Sequence, residues 1–413
     1  MRQVIASLDI GSYKIKLVVA ELKEDGLNIL CAIDEESRGV SKGEIVEPDE
    51  TVYAIKKLLK KQEDLLGIKI TKVIVTVNEE RASFKIGEAS ITITENDSEI
   101  VASDIIRVLQ TSVKGNVESD YDLITVIPVM FKVDDRKTRI PRGLKGNSLS
   151  VKSVVISAPK RDIYLAAKVL EKCGLEVVDI MIPSLGSYFA HKNESTDTTT
   201  GVLVDCGYET IKVSIVNKGI IINNNVLPIG GKNVDSDIAY VYKLKDSQAK
   251  YLKENLALAN KKNALKNERE SFINTNGEKV VVNQLDLSDI VMSRVREMLN
   301  MAKNEINYLT KKEISYIIIT GGLSELKDFS IEVESVFGRV ATIGKIQIVG
   351  ARDNKFATCI GMIKYFDSKL KLRDKEYSIL SSDDEDLLSG NNEKKGISGE
   401  SILGKVFGIF FDN

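Results

Sequence analysis

The sequence predicts an α/β protein of two similar halves, with a small α+β module inserted in the first. Three observations carry that expectation. A strand–turn–strand motif built around an Asp and a Gly occurs twice. Amphipathic helical segments alternate with apolar strands along most of the chain. Residues 83–159 break the alternation with short strands and a single helix.

The repeated motif comes first in the chain. ASLDIGSYKIKLVVAE, residues 6–21, has its counterpart in VLVDCGYETIKVSIVNKG, residues 202–219. Asp9, Gly11, Ile15 and Lys16 return as Asp205, Gly207, Ile211 and Lys212, all at one offset of 196 residues. In each copy an apolar run enters the Asp and a β-branched run leaves it. A Gly-containing turn and a further apolar run follow, EDGLNIL and NKGIIIN. The pattern is strand, tight turn, strand, turn, strand, twice over.

Apolar residues near 3.6 spacing mark helices in DETVYAIKKLLKKQEDLLG, RDIYLAAKVLEKCGLEV and LSDIVMSRVREMLNMAKNEINYL, with strands KVIVTV, SVVIS and ISYIIIT among them. Two such halves predict a cleft between them. The inserted module shows ASITIT, DLITVIPVMFKV and SLSVKSVVIS as strands and SDIIRVLQTSV as its helix. From about Ser368 the chain is polar and charge-dense, which reads as a flexible tether, and it closes on the apolar SILGKVFGIFFDN.

Composition narrows the function. Lys and Arg total 58 against 60 Asp and Glu, so no nucleic-acid partner is expected. Four widely spaced cysteines form no CxxC and suit a reducing, cytoplasmic compartment. The single histidine, His191, argues against a His-based zinc site; beside the polar run KNESTDTTT it is expected at the surface. MRQVIASLDI runs directly into a strand pattern with no signal-peptide signature, and no run of about 18 apolar residues suggests a membrane span.

A hairpin tip offers backbone N–H groups, and Gly lets the backbone come close to a ligand. Two such tips facing each other would clamp a polyphosphate, accompanied by Mg²⁺ that keeps most of its waters and takes few carboxylates. Asp9 and Asp205 are the candidates to hold that hydrated ion, and Ser12, Thr210 and Lys16 to reach phosphate oxygens. A lone D-x-G is more often a plain turn, since both residues favour turns; the duplication raises the ligand reading. YIIITGGLSELKDF adds a strand, a Gly-Gly turn and a helix start with Ser324 as N-cap. It is not GxGxxG, so Gly321 and Gly322 suggest close approach of a base or ribose instead.

These three elements, in this order, resemble the actin-like ATPase superfamily of actin, Hsp70 and sugar kinases, with KFATCIGMIKYF similar to its second connecting helix. Within it, ITENDSEIVASDIIRVL, VIPVMFKVDD, RIPRGLKGNSLSVKSVVISAP and LPIGGKNVDSDIAY resemble the FtsA family of bacterial actin-like cell-division proteins. That resemblance implies an actin-like fold around a nucleotide cleft, with ATP and Mg as cofactors. It implies nucleotide binding by Gly11, Ser12, Tyr13, Lys16, Gly207, Tyr208, Glu209, Thr210, Gly231, Lys253, Gly321, Gly322 and Leu323, with Asp9 and Asp205 at the metal through water. Two departures stand out. Tyr208 and Glu209 occupy a loop that the family makes richer in Gly, and Ala249-Lys250-Tyr251-Leu252-Lys253 keeps the ribose-side Lys of the superfamily's Ala-Glu-x-x-Lys but lacks its Glu.

By the same resemblance, 1–82, 160–196 and 345–367 form the first half and 83–159 the inserted subdomain. The second half is 197–229 and 286–344, with a small subdomain at 230–285; 368–397 is the tether and 398–413 a membrane-anchoring helix. On a helix, at about 100° per residue, Ile402, Leu403, Val406, Phe407, Ile409, Phe410 and Phe411 fill an apolar arc of about 200°. The implied function is a filament-forming adaptor at the division site. It lies on the cytoplasmic face of the membrane, binds the C-terminal tail of the tubulin-like FtsZ, contacts other division-machinery proteins and is at most a slow ATPase. A sugar or acid kinase, an Hsp70-like chaperone and an actin-like pilus-assembly protein are the alternatives. No segment nominates the base a kinase needs.

Overall fold

The computed structural model describes residues 3–24, 26–94 and 98–380. They divide into two compact units: 3–190 with 348–351 and 358–380, and 191–347 with 352–357. The segment 398–413, and with it the expected anchoring helix, lies outside the described residues.

The first unit opens with β1 (Val4–Ile10), β2 (Lys14–Lys23) and β3 (Gly26–Glu36), an antiparallel meander. A short hairpin, β4 (Val40–Ser41) and β5 (Glu44–Ile45), leads to α1 (Pro48–Leu66). Pro48 and the first-turn acids Asp49 and Glu50 suit a helix start, and Gly67, at φ 70°, closes it in the left-handed region. Val52, Ile55 and Leu58 form its buried face. β6 (Lys72–Thr76) then runs parallel to β1.

The insertion follows: β7 (Ser83–Thr92), α2 (Ala102–Val113), β8 (Tyr121–Val133), β9 (Arg136–Thr138) and β10 (Ser148–Pro159). Its strands make a separate four-stranded sheet, ordered β7-β10-β8-β9. α2 packs on it through Ile105, Val108 and Leu109 against Phe131, Leu149 and Val151. α3 (Lys160–Lys172), β11 (Glu176–Met181) and α4 (Pro183–His191) complete the stretch, and the main sheet is ordered β11-β6-β1-β2-β3.

The second unit repeats the meander as β12 (Thr200–Cys206), β13 (Ile211–Asn217) and β14 (Ile220–Leu227). α5 (Gly231–Tyr242), α6 (Asp246–Asn255) and a hairpin, β15 (Arg269–Ile273) and β16 (Lys279–Asn283), precede the long α7 (Gln284–Leu309). β17 (Tyr316–Thr320), α8 (Phe329–Phe337) and β18 (Ala341–Ile343) close a sheet ordered β14-β13-β12-β17-β18. Read from its parallel edge, the first sheet has the same order: an antiparallel meander whose first strand also pairs in parallel with the strand after the crossover. The 196-residue offset seen in sequence is therefore also an offset in register, with Asp9 opposite Lys16 and Asp205 opposite Lys212.

α9 (Ala357–Arg373) returns the chain to the first unit. It is buried almost all round through Cys359, Ile360, Met362, Ile363 and Phe366, as a helix inside a core must be. Gly186 of α4 and Gly361 of α9 make the close crossing possible, since a Cβ at 361 would stand 1.7 Å from the Gly186 carbonyl oxygen. Among the described residues no helix is long and apolar enough to cross a membrane.

Candidate nucleotide-binding loops

In the first unit β1 ends at Asp9 and Ile10, and the chain turns through Gly11, Ser12 and Tyr13 into β2. Asp9 is 5% exposed. Its Oδ2 is paired with Lys16 Nζ at 2.9 Å, and its Oδ1 accepts the Thr76 hydroxyl at 3.1 Å. The same Thr76 Oγ1 accepts the Ile10 N–H at 3.0 Å. Gly11 is required by space: a Cβ there would stand 2.9 Å from the Lys14 carbonyl oxygen and 3.1 Å from Lys16 Nζ. Ser12 Oγ accepts the Gly43 N–H at 2.8 Å, so the β4–β5 hairpin orients it and leaves its proton available to a ligand. The Tyr13 carbonyl accepts the Ser37 N–H at 2.9 Å. Lys16, the residue expected to reach phosphate, has its ammonium on Asp9.

In the second unit Asp205, 6% exposed, lies 3.7 Å from Lys212 Nζ. Gly207 N–H donates to the Thr210 carbonyl at 2.9 Å and closes the loop. The Gly207 and Tyr208 carbonyls accept the Gly231 and Lys232 N–H groups at 3.0 and 2.7 Å, docking the loop on the start of α5. A trans peptide points its N–H opposite to its C=O, so the Tyr208 and Glu209 N–H groups are turned away from α5. This orientation needs Gly230, whose Cβ would stand 2.6 Å from the Tyr208 carbonyl oxygen. Thr210 is buried. Glu209, the unexpected negative charge, is paired with Lys232 at 2.6 Å.

Lys253, on α6, is 5% exposed. Its Nζ lies 2.7 Å from Asp235 Oδ1 and donates to the Gly231 carbonyl at 3.2 Å. Burial pushes the Asp235 carboxyl above the usual carboxylate range, with Lys253 and the Tyr208 hydroxyl opposing. Burial, then Asp235, raises the Tyr208 phenol, so it remains a proton donor. The Tyr208 ring lies under both Lys250 and Lys253, Nζ to centroid 5.4 and 5.3 Å.

Gly321 follows β17 at φ 93°, where a Cβ would meet Asp205 Oδ1 at 2.4 Å. Leu323 is buried and Gly322 has open space at its Cβ position. Ser324 is not the expected N-cap. A 3₁₀ turn spans Gly322–Glu325, Ser324 Oγ donates back to the Gly321 carbonyl at 2.7 Å, and α8 begins only after Asp328. The left-handed Gly321 tightens the turn before a helix can form. His191 is likewise not at the surface: it is 8% exposed, with Nε2 2.9 Å from Thr320 Oγ1. Gly344 makes room for its ring, since a Cβ there would stand 2.6 Å from His191 Cε1.

The structure thus gathers Asp9, Gly11, Ser12, Tyr13 and Lys16 in one unit. It gathers Asp205, Gly207, Tyr208, Glu209, Thr210, Gly231, Lys253, Gly321 and Leu323 in the other. Ile402, Leu403, Val406, Phe407, Ile409, Phe410 and Phe411 lie outside the described residues. Sequence reading missed Thr76, Thr320 and Asp235. The threonines had a signal, since VIVT and IIIT end the parallel strand beside each Asp; Asp235 had none.

Two sheets of one topology, each with an Asp one residue from the end of its first strand and a Gly turn after it, with a module inserted in the first unit, define the actin-like class. Solved structures agree on the fold. PilM of a type IV pilus PilM–PilN complex superposes with a TM-score of 0.58 at 13% identity, covering 87% of this chain and 98% of that one. MreB5 of Spiroplasma citri bound to ADP gives 0.54 at 11% identity, covering 89% and 97%. The family described as "Cell division protein FtsA" matches residues 202–361, and "SHS2 domain inserted in FTSA" matches residues 82–157. Cell division protein FtsA of Bacillus subtilis (strain 168) is 26% identical over 88% of this chain and 83% of its own length. That of Streptococcus pneumoniae (strain D39) is 27% identical over 87% and 79%, and that of Escherichia coli K12 24% over 88% and 90%. The chain belongs to the FtsA family of cell-division proteins.

Proposed function

We propose that this chain is an ATP-binding, filament-forming adaptor that ties FtsZ to the cytoplasmic face of the membrane at the division site and brings later division proteins to it. The observation that carries the reading is the pair Asp9–Lys16 and Asp205–Lys212, one buried carboxylate and one ammonium at the same register position beside a Gly turn in each unit. A hydrated Mg²⁺ carried on phosphates asks for only one or two carboxylates, and the two loops supply one each. Asp9 and Asp205 would hold its water shell, while Ser12, the turned N–H groups of Tyr208 and Glu209, and Thr210 would meet the phosphates. Gly231, Lys253 and the Gly321–Leu323 turn would meet the nucleoside. MreB5 structures bound to ADP and to AMPPNP share the fold, which supports a nucleotide as the ligand.

The remaining parts rest on family membership and sequence. The FtsZ tail is assigned to residues 230–285, self-association to the inserted module and the second unit, and membrane binding to the apolar arc Ile402–Phe411. A head-to-tail contact that does not close produces a filament, and a filament presents many weak anchors to one membrane. Vesicle co-sedimentation with and without Mg-ATP tests the whole reading. Recovery with lipid that rises with Mg-ATP, and FtsZ tail peptide brought down only when the chain is present, are expected. Lipid recovery indifferent to nucleotide would contradict it.

A further inference from the structure

The stretch from β9 towards β10 in the inserted module carries charge of one sign. Residues 136–145, RKTRIPRGLK, hold five bases and no acid, in a chain whose formal net charge is -2. Arg136, Lys137, Arg139, Arg142 and Lys145 are all exposed. The acids just before them are engaged: Asp134 accepts the Asn147 and Ser148 N–H groups at 3.1 and 2.9 Å, and Asp135 pairs with Lys132 at 2.9 Å. Glu99, joined to Lys145 by a backbone bridge, and Asp374, paired with Arg142, stand against the five. The loop is held from within the module. Gly143 N–H donates to the Ile100 carbonyl and Ile100 N–H to the Leu144 carbonyl, both at 2.9 Å. Pro141 is buried and Leu144 packs on the module's core. Ile140 is turned the other way, 76% exposed, with its N–H and its carbonyl both bonded to Thr138 Oγ1 at 3.0 Å.

A single exposed Ile is ordinary. One held outward in the middle of five bases suits a lipid surface, where the apolar side chain enters between headgroups and the bases meet their phosphates. The loop also lies at the root of the C-terminal segment. Arg142 pairs with Asp374, the residue after α9, and Leu372 of α9 packs against the module's core. Leu380 is six residues further on, so it lies within about 20 Å of Asp374, the most that six extended residues span. We infer that this loop is a second membrane contact, specific for anionic lipid. Ile140 enters the surface, the bases around it take the headgroup phosphates, and the C-terminal arc supplies the hold. A basic cluster is weak on its own, and it adds to an anchor rooted close by. Two contacts also fix which face of the first unit turns to the membrane, which one tethered helix leaves open. This rests on the membrane reading above and adds a lipid class and a second surface to it.

The chain contains no Trp, so Ile140→Trp in the full chain reports from the loop alone. On vesicles of equimolar phosphatidylglycerol and phosphatidylcholine its emission should move to the blue and be quenched by brominated lipid. On pure phosphatidylcholine the emission should stay where it is in buffer. High salt, which shortens screening to a few ångströms, should reverse the shift while the chain remains on the vesicle through the arc. Lys137→Gln with Lys145→Gln should weaken partition onto the anionic vesicles at least about fivefold, the worth of one base at such a surface. The same loss of charge at Lys311 and Lys312, exposed in the second unit, should leave partition unchanged. An Ile140→Trp chain that floats with unmoved emission overturns the loop contact and leaves the anchor standing. Equal movement on both kinds of vesicle overturns the anionic class, and equal weakening by the two charge pairs overturns the loop as its site. A blue shift in buffer that grows with protein concentration gives the surface to a second copy of the chain and overturns the lipid assignment. If no chain floats on any vesicle, the membrane reading and this inference fall together.

Discussion

Lys16 Nζ stands 2.9 Å from Asp9 Oδ2 across one rung of the β1–β2 ladder, with the two side chains only 17% and 7% exposed. A carboxylate so enclosed needs a cation, and removing one partner of a buried pair costs more than the pair itself contributes. The register fixes the partner: a Lys seven residues beyond the Asp, across a tight turn, lands on the same side of the sheet.

Lys16→Met should therefore destabilise the chain by about 3–5 kcal/mol in urea, the range for removing one partner of a buried ion pair. Millimolar Mg²⁺ should restore part of that loss, because a hydrated dication takes over the charge on Asp9. Adding Asp9→Asn should recover stability without Mg²⁺ and remove the Mg²⁺ response. A Lys16→Met chain as stable as wild type, in either buffer, would show that the pair carries no such load.

Glu35, 7% exposed, lies 2.7 Å from Lys57 Nζ and 2.5 Å from Lys61 Nζ of α1. Burial raises its carboxyl, but the two ammonium groups outweigh burial and hold it below the usual range. A depressed folded-state pKa contributes stability that is present above the unfolded value of about 4.3 and is lost as pH falls through the folded value. Glu35→Gln should lower stability at pH 7, and the difference from wild type should shrink as the pH drops below about 4. Urea midpoints for both chains across that range check the sign; a difference that grows on acidification contradicts it.

How much of this was legible in the sequence depends on the reach of each signal. The Asp9 and Asp205 loops were legible because a hairpin is local: the D-x-G turn, the two strands and the following Lys all lie within a few residues. The shared offset even anticipated the register that the two ladders adopt. His191 was misjudged because its neighbours in sequence are polar, whereas its burial comes from Thr320 and the missing side chain of Gly344. Lys232 is 23 residues from Glu209, and Asp235 is 18 from Lys253; these ion pairs form only once α5 docks on the loop and α6 packs beside it. Ser324 failed as an N-cap because a left-handed Gly321 diverts the chain into a 3₁₀ turn.

The C-terminal arc is the most exposed part of the functional reading to direct test. Each large apolar side chain contributes roughly 1.5–3 kcal/mol when fully buried, and partial burial of seven gives reversible binding. Within 398–413 the sequence sets the single base Lys405 against Glu400 and Asp412, so insertion rather than anionic-lipid attraction should dominate. Phe407→Glu and a chain stopped at Gly396 should both lose most vesicle flotation, and wild-type flotation should persist in 0.5 M salt, an ionic strength chosen to shorten screening to about 4–5 Å. Flotation of the truncated chain at the wild-type level would place the anchor elsewhere.

Calorimetric titration of Mg-ATP into wild type, Asp9→Ala and Asp205→Ala tests the paired-loop reading most directly. Wild type should bind one Mg-ATP per chain, and each substitution should weaken binding at least about tenfold while the fold, followed by circular dichroism, is retained. Wild-type affinity in both folded variants would contradict the account.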